Sequence, residues 1–501
     1  MNDLKKYLKY KYKYIELKKL LGDRLKFNLS NDPSLQPVSS NPIKRDLSKN
    51  EVVFDSNLKP EVIENKKKSG VFSELPNELF VIGDIHGDFF TLKQSLELTN
   101  CIEFDEYNET IEYNETDQLY EIKDGCEYYS VEKNNVRWNP TKINSYIVFA
   151  GDIIDRCRPT KLYDCINTVA DENCDYKIFK LLLDLDKEAR NYNSRIIIVL
   201  GNHELLNLNK DVKYVSNKGK KDNIRLNNID TLINENIQNI FGIVRINRYV
   251  IVHGGINDIF FDKVNLFFEE KLKNDNIETI EVYNNYLRRF ITDKVSNIEL
   301  DIILQDISPF WDRTLGGIDS LNKDQCTKIF LKNILNIRPY NPEENHLKII
   351  VAHCPQFVGV KNINLVDCQG FKNRIFRIDV GMSRAFDSYK LNEELYILLD
   401  SINEDNILTT NYRLFYNNIE EDKNRVVSIL KINNTSEVII NGSLSIDYFY
   451  KTTFKNNKDL LLYLLSDLKK ILTSNVKIFS TLYSIETLIK VNSLLEQLRS
   501  K

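Results

Sequence analysis

The chain has 501 residues, 42% apolar and 28% charged, with 68 basic against 72 acidic side chains and a net charge of −4. A chain of this length can bury one large core or two, and its near-balanced charge excludes a strongly basic nucleic-acid binder as the first reading. With only 17 Gly and 11 Pro, collagen-like and Gly/Pro-rich disordered classes are excluded as well.

Residues 1–76 read as a polar, partly ordered arm, with a Lys- and Tyr-rich helix at 4–21 as a candidate docking element. The first residues carry no apolar core and no small-residue cleavage site, so a secretory signal is not expected. The longest apolar runs, at 196–200 and 460–465, fall far short of the roughly 20 residues that span a bilayer. The eight cysteines are scattered without a CxxC pair, which argues against a Cys-rich zinc site; a small disulfide scaffold is excluded by length. The expected location is therefore cytoplasmic and reducing. In that setting the two Asn-Glu-Thr sequons at Asn108 and Asn114 stay unmodified.

From residue 77 the texture changes. Five short apolar runs each end in a polar cluster: LFVI (79–82) before GDIHGD, YIVFA (146–150) before GDIIDR, and RIIIVL (195–200) before GNHE. The other two are YVIV (249–252) before HGG and LKIIVA (347–352) before HCPQ. Such runs read as buried strands, and the amphipathic segments at 89–98 and 176–190 as helices between them. The alternation predicts an α/β layered fold in which ligands gather at the carboxyl ends of strands. The expected organisation is a catalytic domain over 77–400, with a surface insertion at about 103–141 that contains the repeat EYNET. An α+β appendage without chemistry of its own is expected over 401–501, strand-like at 405–450 and helical at 457–499.

Four of the five histidines, His86, His203, His253 and His353, stand in these strand-end clusters; only His346 does not. Asp84 and His86 alternate, so a carboxylate and an imidazole reach the same side of one strand end. Asp152 adds a carboxylate able to bridge two ions, Asn202 an amide oxygen, and His253 and His353 further imidazoles. This oxygen and nitrogen set without thiolates suits manganese, iron or zinc. Two such ions about 3.5–4 Å apart can hold a phosphoryl group and generate hydroxide between them. The glycines beside these residues allow the tight turns and close backbone approach that such crowding requires.

In this order the motifs GDIHGD, GDIIDR, GNHE and HGG resemble the signature of the calcineurin-like metallophosphoesterases, and specifically the phosphoprotein phosphatase family. IIVAHCPQ followed by RIFRIDVGMSRAFD is similar to the bacterial-like phosphatases called Shewanella-like and, more distantly, to diadenosine tetraphosphatases. The resemblance covers roughly residues 79–390 and implies the layered metallophosphoesterase fold, with central sheets flanked by helices. It also implies two divalent ions, one held by Asp84, His86 and Asp152 and the other by Asp152, Asn202, His253 and His353. His203 would be the general acid, Asp155 its orienting partner, and Arg156 a phosphate-binding residue. Arg313 matches a second phosphate arginine less securely, the alternative being a surface arginine beside a packed Trp311. Cys157 and Cys354 depart from the family pattern and are expected to fill space, with a redox switch as the sharper alternative. Asp379, Met382 and Ser383 are expected to line or brace the pocket.

The implied activity is hydrolysis of phosphomonoesters, on phosphorylated Ser/Thr or Tyr of proteins, by direct attack of metal-bound hydroxide. The alternative is cleavage of dinucleoside polyphosphates or RNA caps, the only reading under which nucleic acid is a partner. A catalytically silent scaffold is a third reading, opposed by the intact ligand set and the His203–Asp155 pair. The terminal regions are the candidate docking elements for a protein partner.

Overall fold

The five apolar runs expected to be strands, at 79–82, 146–150, 195–200, 249–252 and 347–352, all form strands; of the strand-like region expected at 405–450, residues 405–425 and 443–450 lie outside the described residues. In the computed structural model, residues 70–106, 125–159, 171–257, 279–292, 306–317, 347–356, 363–368, 371–386, 426–442 and 485–500 are described, with shorter stretches between them. All belong to one compact unit, Glu64–Lys501. The helix expected at 4–21, and His346, lie outside the described residues.

A first sheet is built on β2 (Glu78–Ile82), β7 (Ser145–Phe149), β8 (Arg195–Val199) and β9 (Ile240–Phe241), all parallel. The second contains β1 (Val71–Phe72), β10 (Ile243–Ile246), β11 (Tyr249–Val252), β12 (Lys348–Val351), β13 (Asn364–Cys368) and β14 (Phe371–Arg377). Its order is β1-β10-β11-β12-β14-β13, with β11, β12 and β14 parallel. One continuous apolar cluster joins both sheets, running through Phe80, Phe149, Ile197, Val250 and Ile350. Burial on both faces explains why these strands are apolar throughout instead of alternating.

Helices α1 (Phe89–Thr99) and α2 (Asp175–Ala189) pack against the first sheet, and Thr279–Ile291 against the second. The predicted segments at 89–98 and 176–190 match α1 and α2 to within a residue. The fold is a layered α/β fold with central sheets flanked by helices, as the sequence implies. The insertion forms two antiparallel pairs, β3 (Ile102–Phe104) with β6 (Val136–Trp138) and β4 (Ile111–Asn114) with β5 (Leu119–Ile122).

The region expected to be an appendage contributes to the central layer. Hairpin β15 (Ser428–Ile432) and β16 (Glu437–Asn441) extends the first sheet, with Leu430 opposite Val81 on β2. The run SILKI suits a strand covered on both faces: the neighbours Ile429 and Leu430, which point to opposite sides, are both buried, as is Ile432. Among the described residues no helix is long and apolar enough to cross a membrane.

The cysteines differ from the expectation of reduced, space-filling residues. Cys126 is bonded to Cys174 and Cys157 to Cys165, with Cα separations of 6.0 and 5.4 Å. Such bonds persist in oxidising surroundings, which runs against the reducing location expected from the sequence. Cys354 is unpaired, and burial pushes its thiol up to about 12, so it stays protonated at neutral pH.

A buried ion pair ties the start of α1 to the chain beyond β14. Asp88 caps the helix by accepting from the Thr91 backbone N–H at 3.2 Å, and its carboxylate takes Arg384 Nη2 at 2.6 Å and Nε at 3.0 Å. Arg384 also reaches Glu172 at 2.5 Å. Burial works against the Asp88 carboxylate, but Arg384 and Arg156 hold it well below the usual range. Its stabilising contribution is therefore present above the ordinary carboxylate pKa and is lost as pH falls through the depressed value. Asp88→Asn is expected to cost about 3–5 kcal/mol in denaturant unfolding, with a shallower loss of stability in acid. A loss below about 1 kcal/mol, the range of exposed pairs, would show that this pair does not hold the loop.

Candidate metal centre

Five strands deliver the polar residues to one place. After β2 come Asp84 and His86, after β7 Asp152 and Asp155, after β8 Asn202 and His203; His253 follows β11 directly and His353 follows β12. The backbone must turn sharply to aim them inward. His86, Asp152, Asp155 and His353 have φ values of 49°, 49°, 74° and 64°, in the left-handed region. Each such residue costs on the order of 1–3 kcal/mol and persists only where its surroundings over-determine it. Gly151, with φ of 99°, shows the crowding: a Cβ there would lie 2.6 Å from His253 Nδ1 and 2.7 Å from the Gly201 nitrogen.

All six predicted ligands come together. Asp152 Oδ1 is 3.3 Å from His253 Nε2, and Asp152 Oδ2 is 4.0 Å from His86 Nε2. His86 Nε2 lies 3.6 Å from Asp84 Oδ2. His253 Nε2 in turn is 3.0 Å from Asn202 Oδ1 and 3.1 Å from His353 Nδ1. Asp152 thus stands between the two predicted groups, as a bridging carboxylate would. His253 Nδ1 is 2.8 Å from the Ala150 carbonyl, a hydrogen bond that fixes the ring and leaves Nε2 as the ligand atom.

The donor set fits divalent ions. All six residues are buried, and two groups of three, His86/Asp152/His203 and Asp152/His253/His353, each offer ligand atoms within 4.8 Å of one another. Burial, Asp379 and Asp152 together push the Asp84 carboxyl well above its usual range, which is the electrostatic cost that a cation between them would remove. Burial also disfavours the Asp152 carboxylate, yet His203 and His253 hold it well below the usual range. Buried His353 Nε2 and Asp379 Oδ2 have no hydrogen-bond partner among the described residues. Asp379, expected to line or brace the pocket, is raised to about 6, chiefly by burial.

His203 is set apart by its other nitrogen. Nδ1 lies 2.8 Å from Asp155 Oδ2, while Nε2 faces Asp152 Oδ2 at 3.7 Å. Asp155 Oδ1 is held by Arg225 Nη2 at 2.8 Å and Asn207 Nδ2 at 2.9 Å, and Arg225 is shared with Asp175. This pair has the geometry of a general acid and its orienting carboxylate. Since His203 also falls within one metal-sized group, distance alone does not separate acid from ligand.

The two predicted phosphate arginines sit differently. Arg313 is exposed, and its charge acts on His353 and Cys354, which puts it at the edge of the centre. Arg156 is buried, and its charge falls on Asp88 and Glu172. Arg158, not singled out from the sequence, approaches closest: its Nη1 is 3.0 Å from His203 Nε2, and its Nη2 lies against the ring nitrogens of His86, where an ion held by Asp84, His86 and Asp152 would sit.

Glu204 was also without a role. Its carboxylate accepts from the backbone N–H groups of Gly201 at 2.7 Å, Asp152 at 3.1 Å and Ile153 at 2.8 Å, so it pins two ligand-bearing loops together. Its place in GNHE, beside Asn202 and His203, was the available signal. Arg225 offered none.

Known proteins resemble this chain in sequence and, more remotely, in structure. The sequence pattern described as calcineurin-like phosphoesterase matches residues 78–365. An uncharacterized protein of Acanthamoeba polyphaga mimivirus is 24% identical over 242 residues, which cover 43% of this chain and 91% of that protein. An uncharacterized Schizosaccharomyces pombe protein is 22% identical over 344 residues, covering 68% of this chain and 82% of that one. Shewanella-like protein phosphatase 1 of Plasmodium berghei is 26% identical over 249 residues, 46% of this chain and 56% of that protein. Among solved structures, a cold-active protein-tyrosine phosphatase of a psychrophilic Shewanella species aligns at 12% identity with a TM-score of 0.39, over 76% of this chain and 85% of that one.

Proposed function

The chain belongs to the calcineurin-like phosphoesterase family, and on that premise we propose that it is a dinuclear-metal phosphomonoesterase acting on phosphorylated proteins. The observation that carries the reading is the convergence of Asp84, His86, Asp152, Asn202, His253 and His353 beside the His203–Asp155 pair. Asp84, His86 and Asp152 would hold one ion, and Asp152, Asn202, His253 and His353 the other. Manganese, iron and zinc all suit these ligands. Such ions supply Lewis-acid polarisation of the phosphoryl group and activation of water.

The chain's own residues supply the rest. His203, fixed through Nδ1 by Asp155, presents Nε2 to the leaving oxygen and gives it a proton as the P–O bond breaks. The Asp155 carboxylate stabilises the imidazolium before that transfer. Arg225 and Asn207 keep Asp155 from rotating. Of the two arginines expected to bind phosphate, Arg313 stands at the edge of the centre and would offset the charge of the phosphoryl oxygens. The relative named as a Shewanella-like protein phosphatase supports a protein substrate.

A substrate panel with manganese present tests the reading. Phosphoserine, phosphothreonine and phosphotyrosine peptides are compared with dinucleoside polyphosphates and capped RNA. Phosphate release from at least one peptide class, at higher kcat/KM than any anhydride, is expected. Preferential cleavage of the dinucleotides or the cap would instead establish the pyrophosphohydrolase alternative.

A further inference from the structure

We propose that Arg158 is a phosphate-binding residue of this site and that the Cys157–Cys165 disulfide holds it in position. The inference rests on the phosphatase reading above and adds to it a residue, a ligand class and a covalent support.

The placement of Arg158 follows from its neighbours. Nη1 stands 3.0 Å from His203 Nε2. A leaving oxygen protonated by that nitrogen must come within about 2.6–3.2 Å of it. The phosphorus bonded to that oxygen then lies next to the guanidinium, which can grip two phosphoryl oxygens in parallel. The guanidinium is flanked by two rings, with its central carbon 5.2 Å from the Phe386 centroid and 5.8 Å from that of Tyr214. Planar guanidinium groups stack well on such faces, which restricts the side chain. Tyr214 also packs edge-on against His203 at 4.7 Å, and Phe386 against His86 at 5.5 Å. Arg158 is therefore registered to the same two histidines that face the reaction. Both rings are partly exposed, as is Arg158, whereas Arg156 is buried with its charge directed at Asp88 and Glu172.

The disulfide fixes the backbone on which Arg158 is carried. It joins residues eight apart and closes a small ring that begins one residue before Arg158. One hydrogen bond anchors the ring to the segment that supplies Tyr214, the Cys157 backbone N–H donating to the Tyr214 carbonyl at 3.0 Å, and the bonded Cys165 Sγ packs against the Lys213 carbonyl at 3.1 Å. Without the bond, Cys157 loses its covalent tie to Cys165, and the ordering of the adjoining Arg158 must be met from binding energy.

The test uses the full chain loaded with manganese, as wild type, Arg158→Ala, Arg158→Lys and Cys157→Ser/Cys165→Ser. Inorganic phosphate binding is measured by calorimetry, bound manganese by elemental analysis, and kcat and KM with p-nitrophenyl phosphate. Arg158→Ala is expected to weaken phosphate binding about ten- to a hundredfold, the range of a charge-assisted hydrogen bond, and to raise KM similarly with manganese content unchanged. Arg158→Lys should recover part of the loss. The double Ser variant should shift phosphate affinity in the same direction by a smaller factor. Unchanged phosphate affinity in Arg158→Ala overturns the assignment, and unchanged affinity in the double Ser variant overturns the role of the disulfide. Wild-type chain that neither binds phosphate nor hydrolyses any ester overturns the phosphatase reading itself.

Discussion

His203→Ala is expected to lower kcat by about a hundred- to ten-thousandfold, the range a positioned general acid contributes, while bound metal stays at the wild-type level. The two halves of this result carry different information. His203 is held through Nδ1 by Asp155, which is itself fixed by Arg225 and Asn207, so the imidazole is oriented without any need for a metal bond. Its Nε2 is nevertheless close enough to Asp152 and His86 to form a ligand group with them. Retained metal with lost turnover identifies the acid, whereas loss of an ion would make His203 a ligand. The leaving group refines the test. An alkoxide needs the proton far more than a nitrophenolate does, so the defect should be larger on phosphoserine peptides than on p-nitrophenyl phosphate. Equal defects on both would place the role of His203 elsewhere.

Asp152→Asn is expected to strip both ions and reduce turnover to background. The reason lies in its position: Oδ1 faces His253 at 3.3 Å and Oδ2 faces His86 at 4.0 Å, one oxygen toward each group. An amide has one acceptor and no charge, so it cannot neutralise two divalent ions at once. Asp152 also accepts the His203 backbone N–H at 3.0 Å, which the amide oxygen of Asn can still do, so the fold should survive. Elemental analysis of the purified variant reads the result directly. Two ions retained per chain would show that Asp152 does not bridge.

Much of the fold was legible because its central strands are buried on both faces. Runs such as RIIIVL and YVIV have no other reading once bounded by glycine and polar residues, and the ligands follow each run within a few positions. Hairpin β15–β16 was seen as strand but placed in an appendage, since nothing local in SILKI states that its partner is β2. Asp88 and Arg384 pair across 296 positions, a separation that no window along the chain can bridge. Cysteine pairing was missed for a chemical reason: thiols scattered along the chain without a CxxC pair carry no local sign of which partner they meet. Arg158 was missed with them. Its neighbour Arg156 matches the family motif, whereas the direction of Arg158 depends on the Cys157–Cys165 ring and on two aromatic residues distant in sequence, Tyr214 and Phe386.

The central claim is a dinuclear centre built from six buried residues, and the most direct test is a calorimetric titration of metal-stripped chain with manganese. Two ions bound per chain are expected, with phosphatase activity appearing as the sites fill. A stoichiometry of one, or full activity in the stripped protein, would contradict the claim.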